Sequence, residues 1–130
     1  MLNPLIRAGF VAIGLSAGIA TAALAANPVK TGETAKGKTL IDAKGMTLYT
    51  FDKDSDSKSV CNGPCAANWP PVTAAAADKG SAGYSVIIRD DGSRQWAYKG
   101  KALYTWTKDA KPGDITGDGF LNNAWHVAQP

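Results

Sequence analysis

One ten-residue stretch occurs twice in this chain, and the duplication limits its possible folds more than any other feature. Gly45-Met46-Thr47-Leu48-Tyr49-Thr50-Phe51-Asp52-Lys53-Asp54 returns as Gly100-Lys101-Ala102-Leu103-Tyr104-Thr105-Trp106-Thr107-Lys108-Asp109, an offset of 55 residues (49 to 104). Gly, Leu, Tyr, Thr, Lys and Asp are kept, and Phe51 aligns with Trp106. The likeness reaches back to Lys44 and Lys99 and forward to Trp69 and Trp125, which follow their tyrosines by 20 and 21 residues. Two copies, spanning about 38–71 and 93–127, are too few for a solenoid, whose units bury a core only by stacking in series. They suit one compact domain with a pseudo-twofold axis.

Each copy reads as a β-hairpin. Thr39 to Ala43 and Met46 to Asp52 flank Lys44-Gly45, and Arg94 to Tyr98 and Lys101 to Thr107 flank Lys99-Gly100. Glycine in a two-residue loop supplies the positive φ that such turns require. Tyr84 to Arg89 forms a further strand that enters the second hairpin through Asp91-Gly92, and Trp125 to Ala128 closes the domain. Helical patterning is poor, with at most a turn or two over Ala74 to Asp78 after Pro70-Pro71. The expected fold is all-β, a small sandwich or barrel of two pseudo-symmetric hairpin repeats within residues 38–130.

Two-residue loops and alternating side chains assign the faces. Ile41, Leu48, Trp96 and Leu103 fall on one, and Leu40, Tyr49, Phe51, Tyr104 and Trp106 on the other. Both faces are apolar, so the sheet is covered on both sides, closed into a barrel, or open to a ligand on one side.

The N-terminus has a different character. Arg7 is the sole charge before Ala25, and an apolar run rich in Ala, Gly, Leu and Ile ends in Ala23-Leu24-Ala25. These are the parts of a secretory signal peptide, expected over residues 1–25, with cleavage after Ala25 or Ala26 leaving no stable membrane span. Residues 26–37 read as a flexible leader rich in Lys, Thr and Gly. Loss of Arg7 lowers Lys plus Arg from 14 to 13 against 11 acidic residues, a mature charge of +2 that gives no argument for nucleic acid. Export places Cys61 and Cys65 in an oxidising compartment, where a disulfide is the default.

The stretches Tyr49-x-Phe51-x-x-Asp54 and Tyr104-x-Trp106-x-x-Asp109 resemble the Tyr-x-(Phe/Trp/Tyr)-x-x-Asp signature of a bacterial family of predicted lipoproteins, the secreted repeat of unknown function. Cys61-Asn62-Gly63-Pro64-Cys65 with Trp69-Pro70-Pro71, Asp91-Gly92-Ser93-Arg94-Gln95 and Lys111-Pro112-Gly113-Asp114 are similar to that family too. The resemblance covers about residues 38–130 and implies a periplasmic or secreted envelope protein, often lipid-anchored. This chain lacks a lipidation cysteine near the cleavage site. The signature Asp lies at the strand end, where its carboxylate is expected to accept backbone N–H groups and lock a turn.

Few residues carry chemistry. Cys61 and Cys65 with His126, the single histidine, make a candidate soft-metal set, so copper binding or thiol redox work is the alternative reading. Asp52, Asp54 and Asp56 alternate like the start of a calcium loop, but Ser57 and Gly63 stand where that loop needs Gly and Glu; Asp109, Asp114 and Asp118 form a looser set. Glu33 is the single glutamate, and no nucleophile elbow, phosphate loop or zinc-protease motif occurs, so no enzyme and no resident cofactor are expected. Trp96, Tyr98, Tyr104 and Trp106 offer aromatic area for a small ligand if exposed, and core layers if buried. The expectation is a non-enzymatic accessory or binding protein with an envelope partner or small ligand.

Overall fold

The structure is a computed structural model that describes residues 27–130; the signal segment expected over residues 1–25 lies outside them. The expected all-β class holds, resolved into three small antiparallel sheets that do not close into a barrel among the described residues. In chain order the elements are β1 (Lys30–Thr34), β2 (Gly37–Ile41), β3 (Tyr49–Phe51), α1 (Pro64–Asn68), β4 (Tyr84–Ile88), β5 (Arg94–Tyr98), β6 (Lys101–Ala102), α2 (Phe120–Asn123) and β7 (Trp125–Val127).

β1 corrects the expectation of a leader over residues 26–37. It pairs with β2 from Lys30↔Ile41 to Thr34↔Gly37. The segment carries no large apolar residue because it is an outer strand exposed along most of its length. Gly32 belongs there for a packing reason: a Cβ would come within 2.7 Å of Ile41 Cδ1. β1 is to β2 what β4 is to β5, so the first repeat begins at about residue 30.

The two hairpins differ by one residue. Ala97↔Ala102 and Tyr98↔Lys101 leave Lys99-Gly100 as the expected two-residue loop, with φ of 51° and 82°. In the first copy Ile41 faces Thr47, and Asp42 bonds Met46, so the loop is the three residues Ala43-Lys44-Gly45. The Asp42 carboxylate selects this turn by accepting the N–H groups of Lys44 and Met46 at 2.8 and 2.9 Å. A one-residue slip reverses the faces of a strand. Leu40 therefore joins Leu48, Trp96 and Leu103 in one buried cluster, while Ile41, assigned to that face, is half-buried outside it. Tyr49, Phe51, Tyr104 and Trp106 occupy the other cluster as expected.

The repeats exchange their closing segments. β7, from the second copy, pairs with β3 of the first through Tyr49↔Val127, Thr50↔His126 and Phe51↔Trp125. Pro71 and Thr73, from the first copy, bridge to Tyr104 and Gln95 of the second. Tyr49 and Tyr104 face each other and exchange both backbone hydrogen bonds, at 2.8 and 3.0 Å. Neither copy is complete without the other.

Between signature and closing segment each copy has a loop. The first loop holds α1, a five-residue helix with Pro64 in its first turn. Its brevity hides it from periodicity, while Ala74 to Asp78 makes a single turn closed by Asp78 N–H on Ala75 O. The Cys61–Cys65 disulfide spans the start of α1, and the Trp69 N–H ends the helix on Cys65 O at 2.8 Å. Closing so short a loop constrains the unfolded chain by about 2 kcal/mol. The Cys61→Ser/Cys65→Ser pair is expected to lower unfolding free energy by about that amount in denaturant titrations without loss of the folded baseline; failure to fold would show that the bridge holds the whole domain.

Candidate functional site

The six signature residues meet at the pseudo-twofold axis. Their tyrosines do not bond the aspartate of their own copy. Tyr49 donates its hydroxyl proton to Asp109 Oδ2 at 2.7 Å, and Tyr104 donates to Asp54 Oδ2 at 2.7 Å. The second oxygen of each carboxylate performs the expected turn-locking role. Asp54 Oδ1 accepts the Val60 N–H at 2.8 Å, and Asp109 Oδ1 accepts the Thr116 N–H at 3.0 Å and its hydroxyl at 2.6 Å.

Four rings stack across the same axis in the order Phe51, Trp125, Trp69, Trp106. Centroids lie 4.1, 3.8 and 3.9 Å apart, with interplanar angles of 12°, 3° and 24°. Tyr49 meets Trp69 edge-on at 5.2 Å, and Tyr104 meets Trp125 edge-on at 5.1 Å. The tryptophans 20 and 21 residues past the tyrosines are thus partners in one stack. The additional residue in the second loop places Thr116-Gly117 where the first copy has Val60-Cys61. A side chain at Gly117 has no room, since a Cβ would meet the Trp69 ring at 2.5 Å.

Arg89 joins the second copy to the disulfide loop of the first. It is buried, and Nη1 donates to Ser59 Oγ at 3.0 Å and Gln95 Oε1 at 2.6 Å. Nη2 donates to Cys61 O at 2.5 Å and Asn62 Oδ1 at 3.2 Å. The Tyr104 hydroxyl proton is committed to Asp54, so Ser59 donates to Tyr104 Oη across 2.6 Å. The resulting chain, Arg89 to Ser59 to Tyr104 to Asp54, has each donor polarised by the one before it. In the first copy Thr34 holds the place of Arg89, and its Oγ1 meets Thr39 Oγ1 at 2.9 Å.

Burial pushes the Asp54 carboxyl up from 3.8, against the pull of its Tyr104 and Val60 bonds and the Arg89 charge. Burial raises both signature tyrosines well above the ordinary phenol value of 10.0, and the facing carboxylates raise them further. A phenol held neutral in the folded state stabilises fully below its unfolded pKa, and that stabilisation is lost as pH rises toward the folded value. Denaturation midpoints are therefore expected to hold up to about pH 9.5 and then fall ever more steeply through about pH 11, with Tyr49 and Tyr104 ionising only on unfolding. Constant midpoints across that range would contradict the buried tyrosine pairs.

The remaining candidate residues are dispersed. Cys61 and Cys65 are joined to each other, while His126 Nε2 lies 2.8 Å from Asp52 Oδ2. Among the described residues no group of three or more His, Cys, Asp or Glu side chains is arranged to hold a metal ion, which covers the copper set and both aspartate sets. The aromatic ligand face is corrected too. Trp96, Tyr104 and Trp106 are buried, and only Tyr98 is half-exposed. Trp96 and Tyr98 pack in one cluster, Tyr104 and Trp106 in the other.

An open cleft lies instead where β3 and β7 meet the Lys99-Gly100 turn. It comprises two adjoining hollows of about 230 and 280 Å³, which share Thr50, Asp52, Lys99 and Lys101. Asp54 and Asp56 line the first, and Tyr98, Leu103 and His126 line the second. The exchange of closing strands builds it, because Thr50↔His126 is a pair between copies. Gly100 suits its rim because its φ of 82° favours glycine. Sequence reasoning considered His126 only beside the cysteines. The signal for the cleft is the charge around the second turn, Lys99 and Lys101, opposite the acidic run at Asp52.

An all-β domain of two interlocked copies, bonded tyrosine to aspartate across its axis, defines a duplicated-repeat protein. The chain belongs to the family described as a secreted repeat of unknown function, whose model matches residues 30–73 and 85–129. The matches begin within β1 and β4, the outer strands of the two copies. Neither the curated proteins nor the solved structures include a match to the chain. The family is described as secreted, and among the described residues no helix is long and apolar enough to cross a membrane.

Proposed function

We propose that this chain is a non-enzymatic accessory protein of the cell envelope that holds a small polar ligand in the cleft over β3 and β7. The observation that carries this reading is the cleft's combination of an open mouth, the Asp52–His126 pair and the Lys99 and Lys101 ammoniums beside the apolar wall of Leu103 and Val127. A few polar groups set against an apolar wall are what a small-molecule site needs to orient its ligand. The signature tyrosines are committed to the aspartates they face, and Asp54, while bonded to Tyr104, also lines this cleft, which residues of both copies form. Nothing in the cleft calls for a cofactor. The copper reading draws no support from the geometry, because Cys61 and Cys65 are oxidised and His126 is paired elsewhere. A periplasmic destination accords with the signal-like N-terminus and with the disulfide.

Amide chemical-shift mapping tests the reading, using the mature protein and a panel of sugars, amino acids and small carboxylates. The expected result is saturable shifts at Thr50, Lys99, Lys101 and His126 that vanish in Lys101→Ala. A panel that leaves those amides unmoved, or shifts that cluster elsewhere, would contradict it.

A further inference from the structure

The aromatic stack is closer and more nearly parallel than core packing demands. Aromatic pairs usually settle offset or edge-on, with centroids about 4.5–7 Å apart. Trp125, Trp69 and Trp106 instead follow one another at 3.8 and 3.9 Å, the first pair only 3° from parallel. Indoles at this spacing overlap electronically, and indole and phenol are the side chains most readily oxidised by one electron apart from thiols. Each inner tryptophan has a tyrosine at its edge, Tyr49 at Trp69 and Tyr104 at Trp125. A phenol that loses an electron becomes strongly acidic, so its oxidation is easy only with a proton acceptor in place. Both tyrosines have one, a carboxylate oxygen at 2.7 Å. Trp106 is the least buried of the three tryptophans, at 6% exposed; it lines a depression beside Thr105 and Thr107 and packs against the half-exposed Phe120 at 4.9 Å.

We propose that the three tryptophans and the two tyrosine–aspartate pairs form a relay that draws one-electron oxidising equivalents from the depression lined by Trp106 to Tyr49 and Tyr104. The oxidants that fit are diffusible organic peroxyl radicals. A peroxyl radical takes one electron from Trp106 and one proton from solvent, becoming a hydroperoxide and leaving Trp106 a radical cation. An electron passes from Trp69 to Trp106. Tyr49 then gives an electron to Trp69 while its phenol proton moves to Asp109. The products are the hydroperoxide, neutral indoles, a neutral tyrosyl radical and a protonated Asp109. Passage through Trp125 delivers the equivalent to Tyr104 and Asp54 by the same accounting. The relay shares Asp54 with the cleft lining but needs no bound ligand, and its Tyr49–Asp109 arm lies apart from the cleft.

The test generates a ruthenium(III) polypyridyl oxidant by flash photolysis in a solution of the mature protein. Transient absorption and freeze-quench paramagnetic resonance then follow the radicals. The expected result is a tryptophan radical that gives way to a tyrosyl radical. The tyrosyl signal is lost in Tyr49→Phe/Tyr104→Phe and kept in Tyr84→Phe/Tyr98→Phe. Asp54→Asn/Asp109→Asn slows its formation by about a hundredfold, the usual worth of a positioned proton acceptor. Should the paired variants not fold, the wild type in deuterium oxide serves, where slower tyrosyl formation supports the relay and an unchanged rate overturns it. A tryptophan radical that persists in wild type, or a tyrosyl signal that depends on Tyr84 or Tyr98, overturns it as well.

Discussion

Trp69→Ala is expected to destabilise the domain by about 4 kcal/mol, the usual cost of deleting a buried tryptophan. Its ring is in contact with both copies. It stacks between Trp125 and Trp106 and takes the edge of Tyr49. Removal leaves a void in the centre of the stack, which the neighbours cannot fill by collapse because Trp125 and Trp106 are held by β7 and by the strand end after Tyr104. Stabilities of small domains lie at about 5–15 kcal/mol, so the variant stands close to unfolding at ordinary temperature. Urea titration followed by far-ultraviolet circular dichroism measures the loss. Trp69→Phe is expected to recover part of it, since a smaller ring keeps the stack continuous. A loss below about 1 kcal/mol for Trp69→Ala would mean that the stack does not organise the core.

Arg89→Ala is expected to cost about 3 kcal/mol, through groups left without partners as much as through lost contacts. Gln95 Oε1 and Cys61 O are buried and accept from the guanidinium at 2.6 and 2.5 Å. Without it they have no donor within the network, and Ser59 loses the bond that orders it toward Tyr104. Arg89→Lys is expected to restore little, because an ammonium cannot reproduce a planar fork that serves four acceptors. The damage is expected to reach the disulfide loop, so amide hydrogen exchange should quicken at Cys61 and Asn62 ahead of β4 and β5. Uniform quickening over the whole domain would contradict a local role for Arg89 at that loop.

Much of this arrangement was legible before the structure. Duplication of Tyr49-to-Asp54 in Tyr104-to-Asp109 implies a pseudo-twofold domain, and Lys99-Gly100 meets the chemistry of a two-residue turn. The spacing of Trp69 and Trp125 from their tyrosines marks both as parts of the repeat. What was not legible depends on contacts distant in sequence. The first hairpin slips by one residue because the Asp42 carboxylate caps a three-residue loop, and that slip moves Leu40 to the opposite face. β1 escapes notice because an exposed strand needs no apolar alternation. Arg89 escapes because a cation is rarely buried, and its neighbours Ser59, Cys61 and Asn62 lie on the other copy. Above all, alternation places the signature aspartates at a strand end but says nothing of which tyrosine each one faces.

That last pairing is the centre of the account, and a double-mutant cycle measures it most directly. Tyr49→Phe and Asp109→Asn, alone and together, give their coupling in unfolding free energy, and Tyr49→Phe with Asp54→Asn gives the comparison within one copy. Interlocked repeats predict a coupling of about 1–2 kcal/mol between Tyr49 and Asp109, and additivity between Tyr49 and Asp54. Coupling between Tyr49 and Asp54, with none to Asp109, would contradict the exchange across the axis and return each signature to its own hairpin.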